Sequence, residues 1–428
     1  MNNIVVVGLG AVGLPLALCY ALKDCLVYGV DSNQEHLKKI KTCTIDFQED
    51  DNGKKINEII REATEKGNLV LSTDIPEITQ PGTVIMVVVP INVENGSLNI
   101  NTVSQALKDV GKKLKQGDLV IIRSTVFPGF SEEVALPILE RESGMQGGQD
   151  FYLAYSPERM SEGKAFEELR NIDLIVGGIN QESVNQAIAT LRIISPALVH
   201  VGKIKEVETS KIIENLQRDV NIALANEISY FLASKGISGK NCIRLANTHK
   251  RVNMLLPGPG VGGHCLPWAY YYLGHITRSP EELPLSRLSR QINDLTPQVI
   301  VNLIQNYITE SSYDQDKIAI LGQAWKDYSS NCRHSPAVRA KEILIEKGFQ
   351  VVSYDPMAKS GLGVEVVNLE DCLENASVVI IPVIQKEFLS LDVAKIQRLI
   401  KPEALIIDLK ELLNKEELVS AGYKVFSL

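Results

Sequence analysis

The chain has 428 residues, 45% of them hydrophobic and 22% charged, with a formal net charge of −8. That length and apolar content suffice for two to three domains with cores of their own. Acids interspersed with bases exclude a nucleic acid or an anionic membrane held by bulk charge, so a polyanionic ligand has to be held locally.

The longest apolar run, Val84 to Ile91, falls far short of the ~20 residues of a membrane-spanning helix. The opening residues carry no export signal, and a cytoplasmic protein is expected. Seven scattered cysteines without paired or zinc-type spacing predict free thiols and no metal site.

Taken in order, strand-like runs at Ile4 to Val7, Leu26 to Val30, Leu69 to Ser72, Thr83 to Val89 and Leu119 to Ile122 alternate with helix-like ones, the first at Val12 to Leu22. This rhythm predicts a doubly wound parallel sheet, with Phe151 to Tyr155 and Leu174 to Gly177 as later strands and an end near Pro196. From Glu206 to Gly236 there is no proline and no interior glycine, and Val207, Ile213, Leu216, Val220, Leu224, Ile228 and Phe231 recur at helical spacing. One long helix is predicted there. The strand pattern returns at Ile318 to Leu321, Val351 to Tyr354, Val378 to Pro382 and Leu405 to Asp408, with a helix across Pro336 to Lys347. The expected architecture is α/β: two Rossmann-like doubly wound domains joined by a central long helix, divided as 1–196, 197–300 and 301–428. Both open on a strand, a helix and a strand ending in aspartate, Asp31 and Asp355, yet the second copy lacks the glycines of a dinucleotide turn.

Gly8, Gly10 and Gly13 follow a strand and open a helix, with Ala11 and Val12 between them, and Asp31 ends the next strand. Such glycines let the main chain approach a pyrophosphate at a helix N-terminus, while the carboxylate accepts from a ribose hydroxyl. An acid at that strand end favours NAD over NADP. Cys265 closes the run Pro257 to Gly263-His264-Cys265, where four glycines leave room for a ligand. The alternative is a tight loop with a passive thiol. Neighbouring His264 is either a base or a packing residue. Lys211 and Asn215 share a helix face and could stabilise an oxyanion, or form a solvated face. Glu158 and Glu162 could supply a base, and Thr125 ends a strand at the edge where such sheets bind ligands.

These elements occur in an order that resembles the UDP-glucose/GDP-mannose dehydrogenase family over essentially the whole length: GLGxVGLPLA at Gly8 to Ala17, STVxPG at Ser124 to Gly129, SPERxxEG at Ser156 to Gly163, Lys211-x-x-x-Asn215, the His-Cys loop, Leu-Gly-x-Ala-x-Lys326, and Arg333-x-Ser-Pro336. The stretch Glu214 to Glu227, with Arg251-Val-Asn253, looks most like the branch acting on UDP-N-acetylmannosamine or UDP-N-acetylglucosamine. The resemblance implies an NAD domain, a central helical region that makes a homodimer, and a C-terminal domain for the UDP-sugar. It implies Cys265 as nucleophile, Lys211 and Asn215 as oxyanion stabilisers, and Glu158 and Glu162 in the acid/base and water-handling set beside Thr125. Gly262, Lys326, Arg333 and Lys410 become substrate contacts, with Arg251 completing the partner's site.

The pattern also departs from the family. The aspartate expected four residues after the cysteine is Ala269, a strand-end hydroxyl is replaced by Val89, and the acids expected around Arg333 are Ser330, Asn331 and His334. The expected reaction is four-electron oxidation of C6 of a UDP-hexose or UDP-N-acetylhexosamine through a cysteine thioester. Its alternative is a catalytically impaired or non-catalytic nucleotide-sugar-binding homologue.

Overall fold

The computed structural model describes residues 3–46, 49–77, 82–310 and 317–428. The chain forms two compact units, Met1–Glu214 with Tyr271–Thr277, and Asn215–Tyr270 with Arg278–Leu428.

The first unit is built on an eight-stranded sheet: β1 (Asn3–Val7), β2 (Leu26–Val30), β3 (Leu69–Ser72), β4 (Val84–Val87), β5 (Leu119–Ile122), β6 (Tyr152–Tyr155), β7 (Leu174–Gly178) and β8 (Val199–Val201). Their order is β8-β7-β6-β5-β4-β1-β2-β3. The six strands from β3 to β6 therefore lie in the order 3-2-1-4-5-6, the arrangement of a dinucleotide fold. Strands β4 and β5 are buried at every position, which is why they read as continuous apolar runs rather than alternating ones. Helix α1 (Gly13–Ala21) is likewise buried along its whole length. Two features add to the expected parallel sheet: β7 runs antiparallel to β6, and β8, beyond Pro196, pairs with β7.

The second unit repeats the order in six parallel strands: β9 (Lys317–Leu321), β10 (Gln350–Tyr354), β11 (Val364–Glu365), β12 (Val378–Ile381), β13 (Leu405–Asp408) and β14 (Lys424–Ser427), arranged β11-β10-β9-β12-β13-β14. The predicted long helix is α2 (Ile204–Ala233), and α3 (Gly239–Ala246), α4 (Cys265–Gly274), α5 (Pro284–Glu310) and α6 (Pro336–Glu346) follow.

Within the second unit α5 turns a polar face inward. Ser286, Ser289, Arg290, Asn293 and Thr296 are buried, while Leu285, Leu288, Leu295 and Val299 are exposed. The buried face is anchored by Asp219 of α2, which accepts from Arg290 Nη1 at 2.6 Å and from Asn293 Nδ2 at 2.9 Å. Burial still pushes the Asp219 carboxyl up to about 6, against the pull of the guanidinium.

Arg290→Ala leaves that carboxylate buried and unpaired, and should cost about 3 to 5 kcal/mol at neutral pH. Because a raised carboxyl pKa favours the folded state at low pH and loses that contribution as pH rises through it, the loss should be larger at pH 8 than at pH 5.5. Urea unfolding of wild type and variant at both pH values measures this, and an equal loss at both would refute the buried-charge explanation.

Candidate active site

The first βα turn is shaped by side chains that cannot be there. A Cβ on Gly13 would lie 1.8 Å from the Gly8 carbonyl oxygen, and one on Gly8, at φ +95, would lie 2.6 Å from the Val88 carbonyl oxygen. Gly10 is different: a Cβ there would meet nothing within 4 Å, and the residue is exposed. Its openness faces solvent rather than protein, as close approach of a ligand backbone requires. Asp31 ends β2, where Oδ2 accepts from Leu9 N and Oδ1 from Asn33 N, both at 2.9 Å. Helix α1 begins at Gly13 without a side-chain cap and with no acid in its first turn, so its N–H groups and positive end are left for an anion. A cleft of about 420 Å³ lies at these strand ends, lined among others by Gly8, Gly10, Asp31, Asp74, Val89 and Asp109, with no lysine or arginine. Three carboxylates and no cation suit a free ribose and repel a 2′-phosphate. The turn, the helix end and the acid fit NAD.

Three strand ends away, Thr125 lies half-buried in the loop after β5. Arg123 in the same loop is buried and donates to Ser156 Oγ at 3.0 Å and to Glu158 Oε2. The other oxygen of Glu158 accepts from the N–H groups of Arg159 and Met160. Both oxygens of Glu158 are thus engaged, so any proton it takes competes with an ion pair. Glu162 lies half-buried in the following turn. Sequence reasoning missed Arg123, whose signal was a cation directly after the apolar strand Leu119–Ile122. It also missed Glu208, one turn before Lys211 on α2. Glu208 is buried and accepts from Gly129 N at 2.6 Å and Ser131 N at 2.8 Å, tying the helix to the Thr125 loop. Burial raises its carboxyl above the usual range. Lys211 is buried and its ammonium stands 3.8 Å from Glu214, which also pairs with Arg159 at 2.7 Å.

In the second unit Asn215 is buried, and its Oδ1 accepts from Arg218. Two further asparagines of α2 hold the glycine-rich loop. Asn221 donates to the Asn253 carbonyl and accepts from Leu255 N, and Asn226 accepts from Gly258 N, each at 2.8 Å. The loop then runs against the segment after β9. A Cβ on Gly262 would meet the His334 carbonyl oxygen at 2.7 Å and Trp325 Cβ at 2.8 Å, so only glycine fits. The loop delivers Cys265 to the first position of α4, with its side chain exposed. Ala269 lies one turn further on the same face and is buried. His264 accepts from Arg333 Nη1 at 3.0 Å and packs against Trp268 and His334. Burial, then the charge of Arg333, then His334 hold its pKa down to about 4. Arg333 and Arg251 are exposed.

At the strand ends of the second sheet, Lys326 lies over the Trp325 ring at 5.1 Å, and Lys410 pairs with Asp327 at 2.9 Å, which brings the ends of β9 and β13 together. No group of three or more histidines, cysteines or carboxylates that could hold a metal occurs among the described residues, and no described helix is long and apolar enough to cross a membrane.

Sequence comparison assigns all three parts. Residues 2–194 match the NAD binding domain of the UDP-glucose/GDP-mannose dehydrogenase family, 205–295 its central domain and 319–415 its UDP binding domain. The chain belongs to that family. A UDP-N-acetyl-D-mannosamine dehydrogenase of Methanocaldococcus jannaschii is 32% identical over 434 residues, spanning 100% of this chain and 96% of the relative. An NDP-N-acetyl-D-galactosaminuronic acid dehydrogenase of Ralstonia solanacearum is 31% identical, spanning 92% and 94%. Among solved structures, the UDP-D-ManNAc dehydrogenase of Pyrococcus horikoshii superposes with a TM-score of 0.90 at 31% identity, covering 99% of each chain. NAD is the family's cofactor, and the two Rossmann-like folds are those of its solved members.

The open space at Gly10 and the crowded space at Gly13 separate binding from folding. Gly10→Ala should leave the free energy of unfolding within about 0.5 kcal/mol of wild type, yet weaken NADH binding at least tenfold in a fluorescence titration. Gly13→Ala should compromise the fold itself. Unchanged NADH affinity in Gly10→Ala would remove the turn from the cofactor site.

Proposed function

We propose that the protein is an NAD-dependent UDP-N-acetylhexosamine 6-dehydrogenase that converts the C6 alcohol to a carboxylate in two oxidations through a thioester on Cys265. The observation that carries this reading is the pairing, within one chain of this family, of an acid-lined dinucleotide cleft with an exposed cysteine at the end of a tethered glycine loop. The names of the relatives support an N-acetylated sugar, and their spread over mannosamine and galactosamine configurations leaves the epimer to the pocket.

When bound, NAD supplies the hydride acceptor, two molecules per sugar. The roles of this chain follow from the chemistry. Oxidation of C6 leaves an aldehyde, whose carbon the Cys265 thiolate attacks to form a C–S bond, and the electron pair of the carbonyl moves to oxygen. That alkoxide needs a cation and a hydrogen-bond donor, the parts assigned to Lys211 and the Asn215 amide. The second oxidation gives a thioester. Water then adds, the C–S bond breaks, and the thiol recovers a proton as the uronate leaves. Glu158 and Glu162, beside Thr125, form the acid/base and water-handling set. Gly262, Lys326, Arg333 and Lys410 are assigned to the nucleotide sugar.

Ala269 bears on the last step. An apolar side chain fills the place of the family's aspartate, and Glu158 is engaged by Arg123, so hydrolysis is the step with the least help. Mixing enzyme, UDP-N-acetylmannosamine and excess NAD should give a burst of NADH and a sugar-sized adduct in intact-protein mass spectrometry, absent in Cys265→Ala. Steady turnover without adduct, unaffected by Ala269→Asp, would overturn the slow-hydrolysis reading, and no NADH with any UDP-sugar would favour the non-catalytic homologue.

A homodimer is part of the proposal, with Arg251 of one protomer serving the other's substrate. Its support is the outward face of α5, where Leu285, Leu288, Leu295 and Val299 recur at intervals of three, seven and four residues, with Leu224 and Phe231 exposed on α2. A large apolar stripe left in water calls for a partner surface. Replacing both Leu288 and Leu295 by Glu should halve the mass seen by light scattering at micromolar concentration, whereas an unchanged mass would place the interface elsewhere.

A further inference from the structure

Two backbones and two side chains meet where the glycine loop crosses the segment after β9. Gly263 N donates to the Arg333 carbonyl at 3.3 Å, and the His334 carbonyl presses on the space left by the missing Cβ of Gly262. His334 adopts φ +50, a left-handed conformation disfavoured for a residue with a side chain. Above this crossing Arg333 Nη1 lies 3.0 Å from His264 Nε2. A guanidinium has donors only and keeps its proton throughout the ordinary pH range, so Nε2 must be the acceptor and the imidazole proton sits on Nδ1. The lone pair that a general base would use is already occupied. The imidazole cannot rotate freely to change partners, because Trp268 packs on it with ring centroids 4.6 Å apart and His334 with centroids 5.5 Å apart.

We infer that His264 is not the base of Cys265 but a positioning residue for Arg333, holding that exposed guanidinium ready for the diphosphate of the nucleotide sugar. The inference rests on the proposed function and deepens it. An exposed arginine samples many rotamers, and binding an anion with it means giving up that freedom. A neutral imidazole acceptor removes much of the cost beforehand without introducing an opposing carboxylate that the phosphates would have to displace or repel. Three of the positions that depart from the family's pattern, Trp268's neighbour Ala269, His334 and Asn331, lie on this crossing or beside it. Asn331 Oδ1 accepts from Arg333 N at 2.9 Å, so an amide and an imidazole stand where acids were expected. The result is an arginine whose positive charge is oriented but not neutralised.

The test uses the full-length protein with UDP as the probe, followed by calorimetry. His264→Phe, which keeps a flat ring for Trp268 but has no acceptor, should weaken UDP binding about tenfold. His264→Gln, whose Oε1 can stand in for Nε2, should restore it to within about threefold of wild type. In an Arg333→Ala background His264→Phe should have no further effect, because the two residues act as one unit. The rate of Cys265 alkylation by iodoacetamide should keep the same pH profile in His264→Phe, with circular dichroism confirming the fold. An alkylation profile shifted to higher pH would make His264 the thiol's base and overturn the inference, as would undiminished UDP affinity in His264→Phe. Failure of the wild-type protein to bind UDP at all would instead strike the proposed function itself.

Discussion

Glu208 lies wholly inside the first unit, where an unsatisfied carboxylate would cost far more than a methyl group in its place. Its oxygens are filled by the N–H groups of Gly129 and Ser131, and the same solution recurs along α2 in the second unit, where Asn221 and Asn226 fill the main-chain groups of residues 253, 255 and 258. Loops that carry chemistry have exposed main-chain polar groups and few apolar side chains of their own. They gain a defined shape only when a rigid element lends them hydrogen-bonding partners. A long helix can lend several, one per turn, and the polar residues on its buried side are there for that purpose rather than for solubility.

Much of this was legible in the sequence. The strands were readable because buried parallel strands are continuous apolar runs, and the glycine turn with Asp31 was readable because its parts stand at fixed separations along the chain. The long helix was found within three residues at either end. What could not be read was the inside of the site. Glu158 looks the same in a sequence whether its oxygens are free or held by Arg123, and His264 looks the same as base or acceptor, since the deciding partner comes from 69 residues away. The faces of α5 were also hidden. Its sequence carries a polar stripe and an apolar one, and only the position of Asp219 shows that the polar stripe is the buried one.

The proposed thioester route asks for a thiol that is reachable and a water that is well aimed, and the two demands fall on different residues. The exposure of Cys265 at the start of α4 meets the first. The second depends on carboxylates, of which one is tied to a buried arginine and one expected position is alanine. On the proposed thioester route, these residues would favour forming an acyl-enzyme over releasing it.

The repeated strand order of the two sheets hides an asymmetry at the aspartate ending the second strand of each. Asp31 accepts from two main-chain N–H groups, Leu9 and Asn33. Asp355 accepts from Gln323, Ala324, Met357 and Ala358 N–H groups and from the Gln385 amide, and is buried. Its lone pairs are spent on its own chain. An engineer wishing to turn the second fold into another dinucleotide carrier could not do so by grafting glycines at 322–326 alone. The carboxylate would first have to be released from five donors, and the turn that those donors hold shut would come apart with it. The second fold thus has the shape of a cofactor domain, while the aspartate in the place of a recognition residue serves as internal scaffolding.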